Sequence, residues 1–147
     1  MLKVLIVEDD LMMADMVEEV LSQNGYEVCG IAPTVAEAVA LGRRHKPDLA
    51  IIDMRLADGG HGPDAAAQLA VSGRLGILYA TGNMSQVVLT AAAGDACLSK
   101  PYRDVDLLRS LEIVAEMVAT GTASPPFPRG FQVLPSTPTA RRETSHE

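Results

Sequence analysis

The chain has 147 residues, 48% hydrophobic and 21% charged, which suits one domain with a sizeable buried core. Its formal net charge of −7 lacks the basic excess that a duplex nucleic-acid binder carries, so direct nucleic-acid binding is not expected. Cys29 and Cys97 stand in apolar stretches without CxxC or metal-site spacing and read as buried thiols in a reducing compartment. No run reaches the roughly eighteen apolar residues of a membrane span, and the opening apolar stretch is too short for a signal-peptide core. The expected location is therefore cytoplasmic, with no membrane partner.

The first element is a strand at residues 2–7, continuously aliphatic as in a parallel sheet covered on both faces. Glu8, Asp9 and Asp10 follow. They open a helix whose Met12, Met13, Met16, Val17, Val20 and Leu21 recur at intervals of three and four until Asn24-Gly25 stops it. A weaker strand covers 27–31. Thr34 and Glu37 read as a capping box for a second helix, from Val35 to about His45, which Lys46-Pro47-Asp48 ends. Strands at 49–52 and 76–80 flank a third helix, opened by Pro63-Asp64 and running to about Ser72. A weaker fourth helix is expected after Asn83-Met84-Ser85, then a strand at 96–99. A fifth helix runs from Asp104 to about Ala119, with Leu107, Leu108, Leu111, Val114, Ala115 and Val118 on one face and Gly121 beyond it.

This alternation predicts an α/β fold: a doubly wound, five-stranded parallel sheet with helices on both faces. Ligands of such sheets bind at the carboxyl ends of the strands. The first strand ends in Glu8-Asp9-Asp10, the third in Asp53, the fourth in Thr81-Gly82 and the fifth in Lys100-Pro101. Taken singly, each has an ordinary explanation: a helix cap for Asp9 or Asp10, a turn for Asp53, a loop for Lys100-Pro101. Together they place carboxylates, a hydroxyl and an ammonium group along one sheet edge. Clustered carboxylates repel unless a cation sits among them, and hard oxygen donors suit Mg²⁺. A carboxylate can itself act as nucleophile and form an acyl phosphate, with the lysine as a fixed cation for the phosphoryl group.

With these residues in place, the chain resembles the receiver domain of two-component response regulators. The resemblance rests on Glu8-Asp9 after Val4-Leu5-Ile6-Val7, Asp53 after Leu49-Ala50-Ile51-Ile52, Thr81 after Ile77-Leu78-Tyr79-Ala80, and Lys100-Pro101-Tyr102. It covers residues 1–120 and implies a (βα)5 flavodoxin-like sheet with strand order 2-1-3-4-5. It implies that Asp53 accepts a phosphoryl group from a sensor histidine kinase or histidine phosphotransfer protein. Mg²⁺ would be held by Glu8, Asp9, Asp53 and the backbone carbonyl of Arg55. Thr81, the Gly82 N–H and Lys100 would bind the phosphoryl group, and the bond before Pro101 would be cis. Arg55 and Asn83 would modulate phosphoryl lifetime. Asp10 is expected in the first helical turn, favoured there by the helix dipole. Such a protein is not an enzyme beyond its own phosphorylation and dephosphorylation.

The sequence departs from the family pattern in three places. Cys97 occupies the position of the usual switch aromatic, so any coupling through a ring would have to use Tyr79 or Tyr102, which also read as packing residues. Tyr79-Ala80-Thr81-Gly82-Asn83 is similar to a Phe-Ala-Thr-Gly type motif of free-standing receivers. The loop after Asp53 carries Ala57 where proline is common, and Gly59, Gly60 and Gly62 predict mobility. His61 in that loop reads as solvated.

Residues 121–147 are rich in Pro, Ser and Thr and are expected to form a mostly disordered tail. Phe127, Phe131, Val133 and Leu134 suggest docking of 127–134 on the receiver or on a second copy. The expected function is a single-domain response regulator that signals by protein contact or serves as a phosphate sink, with an uncharged 87–93 segment in a candidate homodimer face of fourth helix, fifth strand and fifth helix. A receiver-like docking protein that does not switch is the alternative. A Mg²⁺-dependent phosphohydrolase would need an acid/base side chain that the glycine-rich loop gives His61 no means to be.

Overall fold

The computed structural model describes residues 1–71, 73–82 and 94–135. The predicted fourth helix, the 87–93 segment and Asn83 lie outside the described residues, as do Ser72 and residues 136–147. One sheet contains β1 (Lys3–Val7), β2 (Glu27–Ala32), β3 (Leu49–Asp53), β4 (Gly76–Thr81), β5 (Ala96–Ser99) and β6 (Phe131–Val133) in the order β2-β1-β3-β4-β5-β6. The first five strands are parallel, as the alternating sequence requires, and β6 adds an antiparallel strand to the free edge of β5. The described helices are α1 (Leu11–Ser22), α2 (Val35–His45), α3 (Gly62–Ala70) and α4 (Asp104–Thr120), the last being the predicted fifth.

Alternation along the buried strands feeds two cores. Leu5, Val7, Ala50, Ile52, Ile77, Tyr79 and Cys97 pack with Ala38 of α2 and with Ala65, Ala66 and Leu69 of α3. Val4, Ile6, Leu49, Ile51, Leu78, Ala80 and Leu98 pack with Ala14, Val17 and Leu21 of α1 and with Leu107, Leu111 and Val114 of α4. The sheet is thus covered on both faces, which is why its strands read as aliphatic runs rather than as a polar–apolar alternation.

Local signals set the helix ends. Asp10 is the N-cap of α1, its carboxylate accepting from the Met12 and Met13 amides at 3.1 and 3.3 Å, so it precedes the first turn instead of lying in it. Thr34 caps α2 by accepting from the Glu37 amide at 3.1 Å, but its hydroxyl meets the Glu37 carboxylate directly at 3.4 Å, so the return bond of a capping box is replaced by a side-chain contact. Lys46 closes α2 in the left-handed region at φ 50°, and Gly121 closes α4 at φ 82°.

Beyond α4 the chain turns back along the same helix. The Arg109 guanidinium donates to the carbonyls of Ser124 and Pro126 at 2.8 and 3.1 Å, and the Ser124 hydroxyl donates to Glu116 at 2.6 Å. The chain then enters β6, where Ala96, Cys97 and Leu98 pair with Val133, Gln132 and Phe131. The ladder edge of β5 is therefore filled by the chain itself, which alters the strand part of the candidate homodimer face.

Candidate functional site

Parallel pairing aligns the carboxyl ends of the central strands. Val7 pairs with Ile52, so the residues that follow, Glu8 and Asp53, leave adjacent strands side by side. Asp53 pairs with Ala80, placing Thr81 one step further on, and Thr81 pairs with Ser99, placing Lys100 just beyond. The Lys100 amide donates to the Thr81 carbonyl at 2.7 Å, and the Lys100-Pro101 bond is cis.

Glu8, Asp9 and Asp53 each offer a carboxylate oxygen within 4.8 Å of the others. The Lys100 ammonium stands 3.3 Å from Glu8 Oε1 and 3.5 Å from Asp53 Oδ1. The Met54 amide donates to Asp53 Oδ1 at 2.8 Å and the Asp10 amide to Glu8 Oε2 at 3.2 Å. Glu8 is buried, Asp53 and Lys100 are half-buried, and Asp9 is exposed. Burial and a hydrogen bond with Asp53 push the Glu8 carboxyl up to about 7; the Asp10 amide and Lys100 oppose this incompletely. Three acids and one ammonium leave an excess of negative charge, and an all-oxygen donor set of this kind fits a hard divalent cation such as Mg²⁺.

Thr81 is buried at the strand end, while Gly82 is exposed. Arg55 is exposed and forms an isolated antiparallel bridge with His61. That bridge belongs to a compact turn after Asp53: the Leu56 amide donates to Gly60 at 2.9 Å, the Gly62 amide to Met54 at 2.8 Å, and the Ala57 amide to Pro33 at 3.0 Å. The loop that composition marks as mobile thus carries its own hydrogen-bond frame. A Cβ at Gly62 would overlap the Asp53 carbonyl oxygen, so the absent side chain lets α3 begin directly against the acidic strand end. His61 is exposed in this turn.

Cys97 is fully buried within the α2/α3 core, and burial pushes its thiol up to about 11. Tyr79 lies in the same core with no exposed surface, and a Cβ at Gly94 would overlap its ring. Tyr102 is half-buried beside the site; burial and then the Glu8 charge push its hydroxyl up to about 12. Sequence reasoning did not single out Met54 or Gly62. The glycine was visible only as loop composition, and its steric role depends on how close α3 comes to β3.

A family model described as the response regulator receiver domain matches residues 4–112. The chain belongs to the response regulator receiver family. It is 35% identical over 125 residues to the transcriptional regulatory protein PdtaR of Mycobacterium tuberculosis, covering 82% of this chain and 60% of that protein. It is 32% identical over 112 residues to the chemotaxis protein CheY of Bacillus subtilis, covering 74% of this chain and 93% of that one. Among solved structures, the signal receiver domain of a modulated diguanylate cyclase from Desulfovibrio desulfuricans superposes with a TM-score of 0.72 at 29% identity, over 83% of this receiver and 99% of that chain. Among the described residues, no helix is long and apolar enough to cross a membrane.

Proposed function

We propose that this receiver accepts a phosphoryl group on Asp53 from a phosphohistidine of a sensor kinase or phosphotransfer protein, with Mg²⁺ as cofactor. The observation that carries the reading is the Lys100 ammonium held against both Asp53 and Glu8 at the sheet edge. An Asp53 carboxylate oxygen attacks phosphorus; an O–P bond forms as the donor's N–P bond breaks and its electron pair returns to the imidazole. Lys100 neutralises the oxygens of the incoming group, and the Thr81 hydroxyl and Gly82 N–H receive it once bound. The site would hold Mg²⁺ through Glu8, Asp9, Asp53 and the Arg55 carbonyl; when bound, it supplies neutralisation of phosphoryl charge. Water attack on the acyl phosphate returns Asp53 and releases inorganic phosphate, with Arg55 and Asn83 setting the rate.

The donor protein would dock beside the site. A groove of about 430 Å³ runs between α1 and the Lys100–Tyr102 loop, lined by Met13, Met16, Val20, Tyr102 and Leu107. Leu11, Met12 and Met16 are exposed on the same helix, an adaptable apolar surface suited to a partner helix. Output would leave by protein contact or end with hydrolysis, as in a phosphate sink. The test is transfer from a panel of phosphorylated histidine proteins to the wild type and Asp53→Asn. Uptake by the wild type alone is expected, and equal uptake by both would overturn Asp53 as acceptor.

A further inference from the structure

The edge of β5 is closed by the chain's own tail. β6 straddles the sheet: Phe131 packs against the α1/α4 core, whereas Leu134, just past the strand, is buried in the α2/α3 core with Cys97 and Tyr79. The Ser99 amide donates to the Gly130 carbonyl at 2.9 Å, and the Leu134 amide donates to the Asp95 carbonyl at 3.0 Å. Gly130 has φ 81°, and a Cβ there would stand 3.1 Å from the Ser99 Cβ, so this end of the seat has little slack.

The same end of β5 is tied to the acidic site. Ser99 bonds outward to β6, while the next residue, Lys100, bonds inward, its amide to Thr81 and its ammonium to Glu8 and Asp53. We propose that β6 is a releasable cover and that loading Asp53 unseats it, baring the β5 edge as a docking surface for an extended partner segment. This rests on the phosphoacceptor reading above. New charge on Asp53 draws Lys100 toward the site, Ser99 follows, and the bond to Gly130 is the one that lengthens. A three-residue strand on a sheet edge belongs to the low-stability part of a fold, so a modest coupling suffices to move it. Arg109 and Glu116 hold residues 124–126 independently, so the released segment stays tethered near its seat.

The bared edge would offer the β5 backbone groups now paired to β6, together with the hollow vacated by Leu134. It fits a partner strand with apolar side chains three positions apart, one for each face of the sheet, as Phe131 and Leu134 are now placed.

The test is amide hydrogen exchange on the full chain with Mg²⁺, with and without acetyl phosphate, alongside intact mass. Protection at Ser99 and Leu134 should fall by about fivefold or more on loading, the lower end of a typical coupling, and should not change in Asp53→Asn. By reciprocity, Leu134→Asp, which unseats β6, should tighten equilibrium binding of the phosphoryl analogue beryllium fluoride with Mg²⁺ by a similar factor. A phosphoryl gain in mass with unchanged protection would overturn the coupling while leaving the acceptor reading intact. No mass gain in either protein, from acetyl phosphate or from a panel of phosphorylated histidine proteins, would overturn both.

Discussion

The Lys100 ammonium meets Oε1 of Glu8 at 3.3 Å across 92 positions of sequence. The contact exists because β1, β3, β4 and β5 are parallel neighbours that end at one edge. The ammonium favours the ionised carboxylate, yet burial and Asp53 together outweigh it and push the Glu8 carboxyl up to about 7.

This imbalance predicts how stability depends on pH. Glu8 has an ordinary value of 4.5 and reaches about 7 in the fold. The folded state therefore binds more protons between these values, and stability falls as pH rises through that window. The loss is on the order of 3 kcal/mol in the absence of divalent cation. Urea unfolding from pH 4.5 to 7.5 should show this decline, and Glu8→Gln should remove most of it. Added Mg²⁺ should flatten the wild-type curve by holding Glu8 ionised. A decline of the same size in Glu8→Gln would place its origin elsewhere.

Lys100→Ala removes the group that restrains Glu8. The Glu8 carboxyl should then titrate above its wild-type midpoint, as read by carboxyl-carbon resonances. The fold should persist, while binding of any partner that reads the phosphorylated state should weaken. An unmoved midpoint would mean that the ammonium does not act on Glu8 in solution.

Gly62→Ala places a methyl group against the Asp53 carbonyl. Either α3 or the end of β3 must shift, at a cost of about 1–3 kcal/mol. Denaturant unfolding should report that loss, and phosphoryl uptake should slow because Asp53 moves with its backbone. Wild-type stability and uptake would show that α3 accommodates the methyl freely.

Thiol reactivity should separate the two cysteines. Cys97 is fully buried, with its thiol raised to about 11, whereas Cys29 is half-buried and raised by partial burial. Iodoacetamide at pH 8 should modify Cys29 slowly and Cys97 only after unfolding. Fast alkylation of native Cys97 would show that its core opens.

Much of this was legible in the sequence because the signals are local. Aliphatic runs gave β1, β3, β4 and β5; Gly121 and Lys46 marked helix ends; and acids ending the first and third strands with a lysine ending the fifth made a site once the strands were taken as parallel. A cap at Asp9 or Asp10 was legible, though which of the two caps α1 was not, and the direct Thr34–Glu37 contact was hidden because it depends on one rotamer at a helix start. The Glu8 shift was hidden because burial comes from neighbours in space. β6 was hidden more deeply: its apolar residues were visible, but a three-residue strand has no usable period, and its pairing depends on the open edge of β5.

The central claim is that Asp53 is the phosphoryl acceptor of an Mg²⁺-dependent site. Intact-protein mass after incubation with acetyl phosphate and Mg²⁺ tests it most directly, with the wild type and Asp53→Asn side by side. One phosphoryl gain in the wild type, lost when Mg²⁺ is chelated and absent from the variant, is the predicted result. Equal gain in both proteins, or none in the wild type from either the small donor or a phosphorylated kinase panel while Mg²⁺ binding is intact, would contradict it and favour a receiver-like docking protein that does not switch.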